Sequence, residues 1–220
     1  QSIFWCMAAA IAPLLLAMLF GLPETAPYPR PPAPRPASYV GNFAFLLSQR
    51  HFSVHLLAIL CIQIAIFAFV TNSSFVLITA LGFSPGEFGL IYGAVMFGHV
   101  IGAAVGARTV RRRGINDTIR LGGLISFAAG AVLTAFAWAG VNQVLAITIP
   151  LFFMLYGTAL IVPHAMAAAM SPYPDMAGAA SSLVGIAQLL GGAVISYVLG
   201  VLFDGTPRPL ATAIALSGLA

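Results

Sequence analysis

Residues 98–114 read Gly98-His-Val-Ile-Gly102-Ala-Ala-Val-Gly106-Ala-Arg108-Thr-Val-Arg111-Arg112-Arg113-Gly114. Gly98, Gly102 and Gly106 recur every four residues, so on a helix they lie along one face and strip it of side chains. Another backbone can then approach closely, the packing device of helices in a bilayer. No formal charge interrupts the run from Phe88 to Ala107, and four arginines follow within the next six residues. An apolar helix that ends abruptly in guanidinium groups reads as a membrane span meeting lipid phosphates.

The rest of the chain agrees. Of 220 residues, 60% are hydrophobic and 6% charged, with nine arginines, no lysine and five acidic residues. Soluble domains carry roughly a quarter of their residues as Asp, Glu, Lys or Arg. This chain has too little charge to coat a globular surface, which sets aside soluble enzymes, nucleic-acid binders and disordered segments. The formal net charge of +4 does not indicate a nucleic-acid partner, because the arginines cluster in loops between long uncharged runs.

Those runs predict seven helical segments: 3–20, 54–79, 88–107, 121–140, 144–170, 177–203 and a short one from Pro209. A bilayer core of roughly 30 Å requires about 20 residues of helix, so all but the last can span. With no initiating Met, no basic leader and no small-residue cleavage site at the front, residues 3–20 do not read as a signal peptide. The chain is expected to be a piece of a larger membrane protein. Loops 21–52, 108–120 and 171–176 carry three, five and zero arginines, against zero, zero and one in loops 80–87, 140–143 and 204–208. Positive charge is retained on the cytoplasmic side, so the first set is expected there.

Seven prolines between Pro23 and Pro36 favour extended polyproline geometry over helix. Residues 22–52 are therefore expected to be a cytoplasmic linker, separating a last helix of one bundle (1–21) from a second bundle (53–220). Cys6 and Cys61 lie in apolar helices and read as small hydrophobes. Two distant cysteines and four scattered histidines assemble no metal set, and no nucleophile–base pair or paired carboxylates suggest an enzyme. No cofactor is expected.

Four stretches carry a family resemblance. The spacing Gly102-x5-Arg108-x2-Arg111-Arg112-x-Gly114 resembles the cytoplasmic loop between the second and third helices of a major facilitator superfamily half. Leu22-Pro-Glu-Thr25, Ser84-Pro-Gly-Glu-Phe88-Gly and Pro172-Tyr-Pro-Asp-Met-Ala-Gly178-Ala-Ala-Ser181-Ser-Leu-Val-Gly185-Ile-Ala-Gln188 resemble, more narrowly, the Bcr/CflA-type drug-resistance transporters of that superfamily. The resemblance runs in order along the whole chain, from a sixth helix to part of a twelfth. Gly106 stands where the loop motif has an acidic residue, and the turn at Asp175-Met176 lacks a basic one.

The resemblance implies an all-α polytopic fold: a C-terminal six-helix bundle, its last helix truncated, preceded by the last helix of the N-terminal bundle. It implies proton-coupled export of small amphipathic drugs, such as bicyclomycin or chloramphenicol, across a bacterial inner membrane. Partners would be the drug, protons, membrane lipids and the N-terminal half of the same protein. Gly102, Arg108, Arg111, Arg112 and Gly114 would form the gating loop motif. No acidic residue lies deep in a helix, so no proton-carrying carboxylate is named.

Read from the residues themselves, uncharged polar side chains within a span tend to face the bundle interior. Gln63, Phe67 and Ser74 share one helical face, offering an amide, an aromatic plate and a hydroxyl to a ligand. Asn72, nearly opposite Gln63, is expected to hydrogen-bond between helices. His99 reads as a neutral imidazole bonded to a neighbouring helix. His164 follows Pro163, which removes a backbone donor and can bend the helix; contact with substrate or pH sensing is expected of it. Gln188, between Gly185 and the pair Gly191-Gly192, sits on a bared face and serves either substrate or packing. Tyr156 is a candidate stacking residue, and Tyr92 is expected to be an interfacial anchor. A carrier for another small solute and a non-transporting membrane fragment stand as the alternative readings.

Overall fold

The computed structural model describes residues 2–21, 36–141 and 143–218. All regular structure among them is helical. The chain divides into two units, residues 1–36 and 37–220. In the first, α1 (Ser2–Gly21) is an apolar helix with Pro13 inside it. The expected Pro-rich linker lies largely outside the described residues, as does Leu22-Pro-Glu-Thr25.

The second unit opens with α2 (Pro36–Ser48), a helix in part of the stretch read as linker. Its Leu46 is fully buried, and Phe45 meets Tyr173 edge-on, their ring centroids 6.5 Å apart. Tyr173 also receives Phe52 of α3, the next helix (Arg50–Ser74). α3 continues without a break into a wider π turn, Phe75–Ala80, so the span is longer at both ends than its uncharged core predicted.

α4 runs from Pro85 to Trp138, 54 residues, broken at Gly114 into arms 85–113 and 115–138. At about 1.5 Å per residue both arms exceed the thickness of a hydrocarbon core. The basic segment expected as a loop over 108–120 is therefore helical on both sides of one residue. Gly114 alone leaves the helix, at φ 82°, a conformation that a side chain would strain. Thr118, buried in the second arm, donates its hydroxyl to the Gly114 carbonyl at 2.7 Å and holds the reversal closed. The Ser84–Glu87 capping box opens the first arm: each side chain accepts the other's backbone N–H.

α5 (Val144–Met170), α6 (Ala177–Leu202) and α7 (Arg208–Ser217) complete the unit. α5 lies against both arms of α4 and against α3; α3 in turn packs on α6 and α7. α7 returns to the second arm of α4, where Thr134 Oγ1 donates to Ala211 O at 2.9 Å. Two apolar cores result. One gathers Phe69, Val95, Leu133, Leu151, Met154 and Ile214; the other, towards the basic turn, gathers Leu46, Phe52, Ile59, Ile161, Ala165 and Val184.

Candidate functional site

The glycine stripe is a helix seam. A Cβ on Gly98 would stand 2.5 Å from the Phe152 carbonyl oxygen, and one on Gly102 would collide with that of Tyr156. At Gly106 the nearest atom is the end of a side chain, His164 Cε1, at 3.2 Å. The seam is thus rigid where backbone meets backbone and softer at Gly106. The second arm of α4 repeats the device: Gly122 meets the Gly157 carbonyl, and Ser126 donates its hydroxyl to Met154 O at 3.2 Å. Small residues at 122, 126 and 130 follow the same four-residue period as the first stripe, a signal overlooked in the sequence. α5 is held between two smooth faces and buries 13 of its 27 residues.

Of the expected ligand residues, Tyr156 and His164 lie on this central helix, both half-buried. His164 Nδ1 is 2.7 Å from Leu160 O. The carbonyl can only accept, so Nδ1 carries the hydrogen and Nε2 of the neutral ring remains an acceptor. Pro163 beside it deprives the Ala159 carbonyl of its helical donor. His99 Nδ1 reaches Leu155 O on α5 at 3.3 Å, the interhelical bond expected of it.

Gln63, Phe67 and Gln188 lie apart from that pair, on α3 and α6, and are half-buried. The Phe67 ring covers Gly192: a Cβ there would come within 2.7 Å of Cγ. The aromatic plate is thus partly spent on helix packing. Neither amide has a hydrogen-bond partner among the described residues, and none of the five candidates bonds to another. An apolar groove of about 400 Å³ follows the same helix pair, lined by Leu60, Ile64, Leu190, Gly191 and Ile195 among others. No charged side chain is buried among the described residues.

One expectation needs correcting and another needs completing. Asn72 is buried, but its amide donates within its own helix, to Ala68 O at 3.2 Å and Thr71 Oγ1 at 3.0 Å. Back-bonding to the preceding turn satisfies a polar side chain without a second helix. Tyr92, expected as an interfacial anchor, also packs inward. It stacks on Phe69 of α3, centroids 5.2 Å apart and planes at 14°, because the first arm of α4 brings it onto the core.

In the loop motif, Gly102 is buried in the seam, while Arg108, Arg111, Arg112 and Gly114 are exposed at the turn. Arg108 donates to Ala104 O of its own helix at 3.4 Å. The arginines thus lie at a helical hairpin that reverses at Gly114, beside a glycine-lined seam.

The family model of the major facilitator superfamily matches residues 1–196. The chain belongs to the major facilitator superfamily. It is a multi-pass membrane protein of a transporter family. It is 28% identical over 207 residues to the multidrug resistance protein MdtL of Escherichia coli O45:K1, covering 93% of this chain and 50% of the relative. The MdtL protein of Escherichia fergusonii matches over the same length at 28%. A bicyclomycin resistance protein homolog of Haemophilus influenzae is 27% identical over 171 residues, 77% of this chain and 42% of that protein. The chain spans about half the length of the curated relatives it matches.

Proposed function

We propose that this chain supplies the C-terminal bundle, and α1 the last helix of the N-terminal bundle, of a proton-coupled exporter of small amphipathic drugs. Residues 22–52 join the two on the cytoplasmic side, together with the basic turn at Gly114. Transport proceeds by alternating access about a midplane cavity between two bundles. The observation that carries the reading is the pair of half-buried amides, Gln63 and Gln188, left without partners on packed helices beside Phe67. An unpaired amide inside a membrane bundle is costly unless a ligand or water satisfies it. With no fixed charge among them, these groups suit neutral or weakly polar amphiphiles rather than ionic metabolites. The names of the relatives support drug export as the class.

Tyr156 and His164 on α5 form the opposite side of the same cavity. There His164 contacts substrate through its free Nε2 or senses pH. Arg108, Arg111, Arg112 and Gly114 act at the cytoplasmic gate. The test is drug susceptibility of an efflux-deficient host expressing the complete reading frame, with and without a protonophore. Resistance to several unrelated compounds that collapses with the proton gradient is the expected result. Absence of resistance despite membrane expression would favour a carrier of another solute. Transport by a His164→Gln variant with an unaltered pH profile would remove the sensing role.

A further inference from the structure

Along the sequence the four histidines look scattered, yet two of them, His51 and His55, stand four residues apart in the first turns of α3 and so share one face. Their rings lie together, with centroids 4.5 Å apart and planes at 38°. His55 Nδ1 is 2.8 Å from His51 O. The carbonyl can only accept, so Nδ1 carries the hydrogen and the Nε2 lone pair is left for another partner. A carbonyl bound to one ring nitrogen is the arrangement that orients an imidazole for a metal on the other. Both contacts lie within one helix, so neither depends on what packs around α3 in the complete protein.

We propose that His51 and His55 chelate Zn2+, or another divalent transition ion that favours imidazole, at the start of α3. Two imidazoles sharing one tetrahedral ion through nitrogens at about 2.0–2.1 Å place their ring centres about 5 Å apart, close to the 4.5 Å between these rings. Histidines one helical turn apart on a single face can meet at one zinc ion. No third His, Cys, Asp or Glu joins the pair among the described residues, so water completes the shell and the ion is exchangeable. Arg50 precedes His51 but falls about 100° round the helix from it, and a neutral imidazole binds through its lone pair rather than through charge. Mg2+ and Ca2+, which take oxygen ligands, are not expected to bind. Gln49 gives the first turn of α3 no side-chain cap. An ion held by residues four apart requires the helical backbone between them, so its binding stabilises that turn.

The test is calorimetric titration of the complete, untagged protein in detergent with Zn2+ alone. The wild type is expected to bind an ion that excess Mg2+ does not displace. His51→Gln and His55→Gln should each weaken that binding by more than about tenfold, because groups that merely orient a ligand are worth about 10–100-fold and a direct ligand is worth no less. Hydrogen exchange at residues 54–57 should slow by about tenfold when Zn2+ stands at ten times its dissociation constant. Should the variants fail to fold, Cu2+ on the wild type serves instead: its paramagnetic resonance spectrum must show two coordinated imidazole nitrogens. No binding by the wild type, binding undiminished by either substitution, or exchange at 54–57 that ignores the ion would each overturn the site. Binding and exchange are read without transport, so the exporter reading and this site can fail separately.

Discussion

The seam between α4 and α5 and the seam between α3 and α6 are both lined with glycine, yet they are built differently. In the first, glycines at 98 and 102 face backbone carbonyls of Phe152 and Tyr156, so the two main chains are in contact. In the second, Gly191 and Gly192 face the side chains of Leu60 and Phe67. α5 buries 13 of 27 residues, whereas α6 buries five of 26. A backbone has no rotamer to yield, so the first seam fixes its helices. A side chain can turn aside, so the second can adjust. Gln63 and Gln188, whose amides have no hydrogen-bond partner among the described residues, lie on the two helices of the adjustable seam.

The largest effect is expected from Gly102→Val. The new side chain would meet the Tyr156 backbone, and overpacking of this kind costs about 1–3 kcal/mol or more. A steep fall in folded protein recovered from membranes, with a lowered melting temperature in detergent, is the outcome to look for. Retention of wild-type stability would mean that the seam is not rigid. Gly192→Ala should cost less, about 1 kcal/mol, and should be compensated by Phe67→Ala, because the obstacle is the ring. A thermal-melting double-mutant cycle that returns no coupling would remove the distinction between the seams.

Gly106→Ala sharpens the comparison from within the first seam. Its nearest neighbour is the His164 ring at 3.2 Å, so a shift of about 0.5 kcal/mol or less is expected. A loss as large as that at Gly102 would show that the seam does not soften there. The smallest effect lies at the far end of the same arm. The Ser84 backbone N–H, then its hydroxyl, hydrogen-bond to the Glu87 carboxylate and hold its pKa below the usual range. The stabilisation is present above the ordinary carboxylate pKa and is lost as pH falls through the depressed folded value. Hydrogen exchange at residues 85–90 should therefore quicken, relative to its intrinsic rate, only in strongly acidic solution. In Glu87→Gln that acid-induced change should vanish.

Much of the architecture was legible before any coordinates. Long uncharged runs bounded by arginine must be helices, because a bilayer leaves backbone groups no partner but their own helix. The span of α5, 144–170, was read to the residue, since nothing at its ends mimics helix. The helical arginines around Gly114 were misread as loop because charge marks where a span leaves the hydrocarbon, not where helical hydrogen bonding stops. The helix α2 was hidden by the prolines before it. The buried Leu46 side chain is visible only once Phe52 and Tyr173 are in place.

The candidate site was legible as a set of residue types and not as an arrangement. Gln63, Phe67, Tyr156, His164 and Gln188 are each half-buried, but periodicity on single helices said nothing of which helices adjoin. Asn72 and Tyr92 show why. An amide can be satisfied one turn back on its own helix, and an aromatic near a helix end can be drawn into the core by a neighbour.

What the residues determined alone is therefore what depends on one helix at a time: the spans, the small-residue stripes, the sidedness of charge and the membership of a superfamily. What only the tertiary structure decided is what each bared glycine faces, a carbonyl at Gly102 and an aromatic ring at Gly192. The physical reason is that a glycine stripe specifies close approach but not the partner. The partner is chosen by the packing of all the helices together.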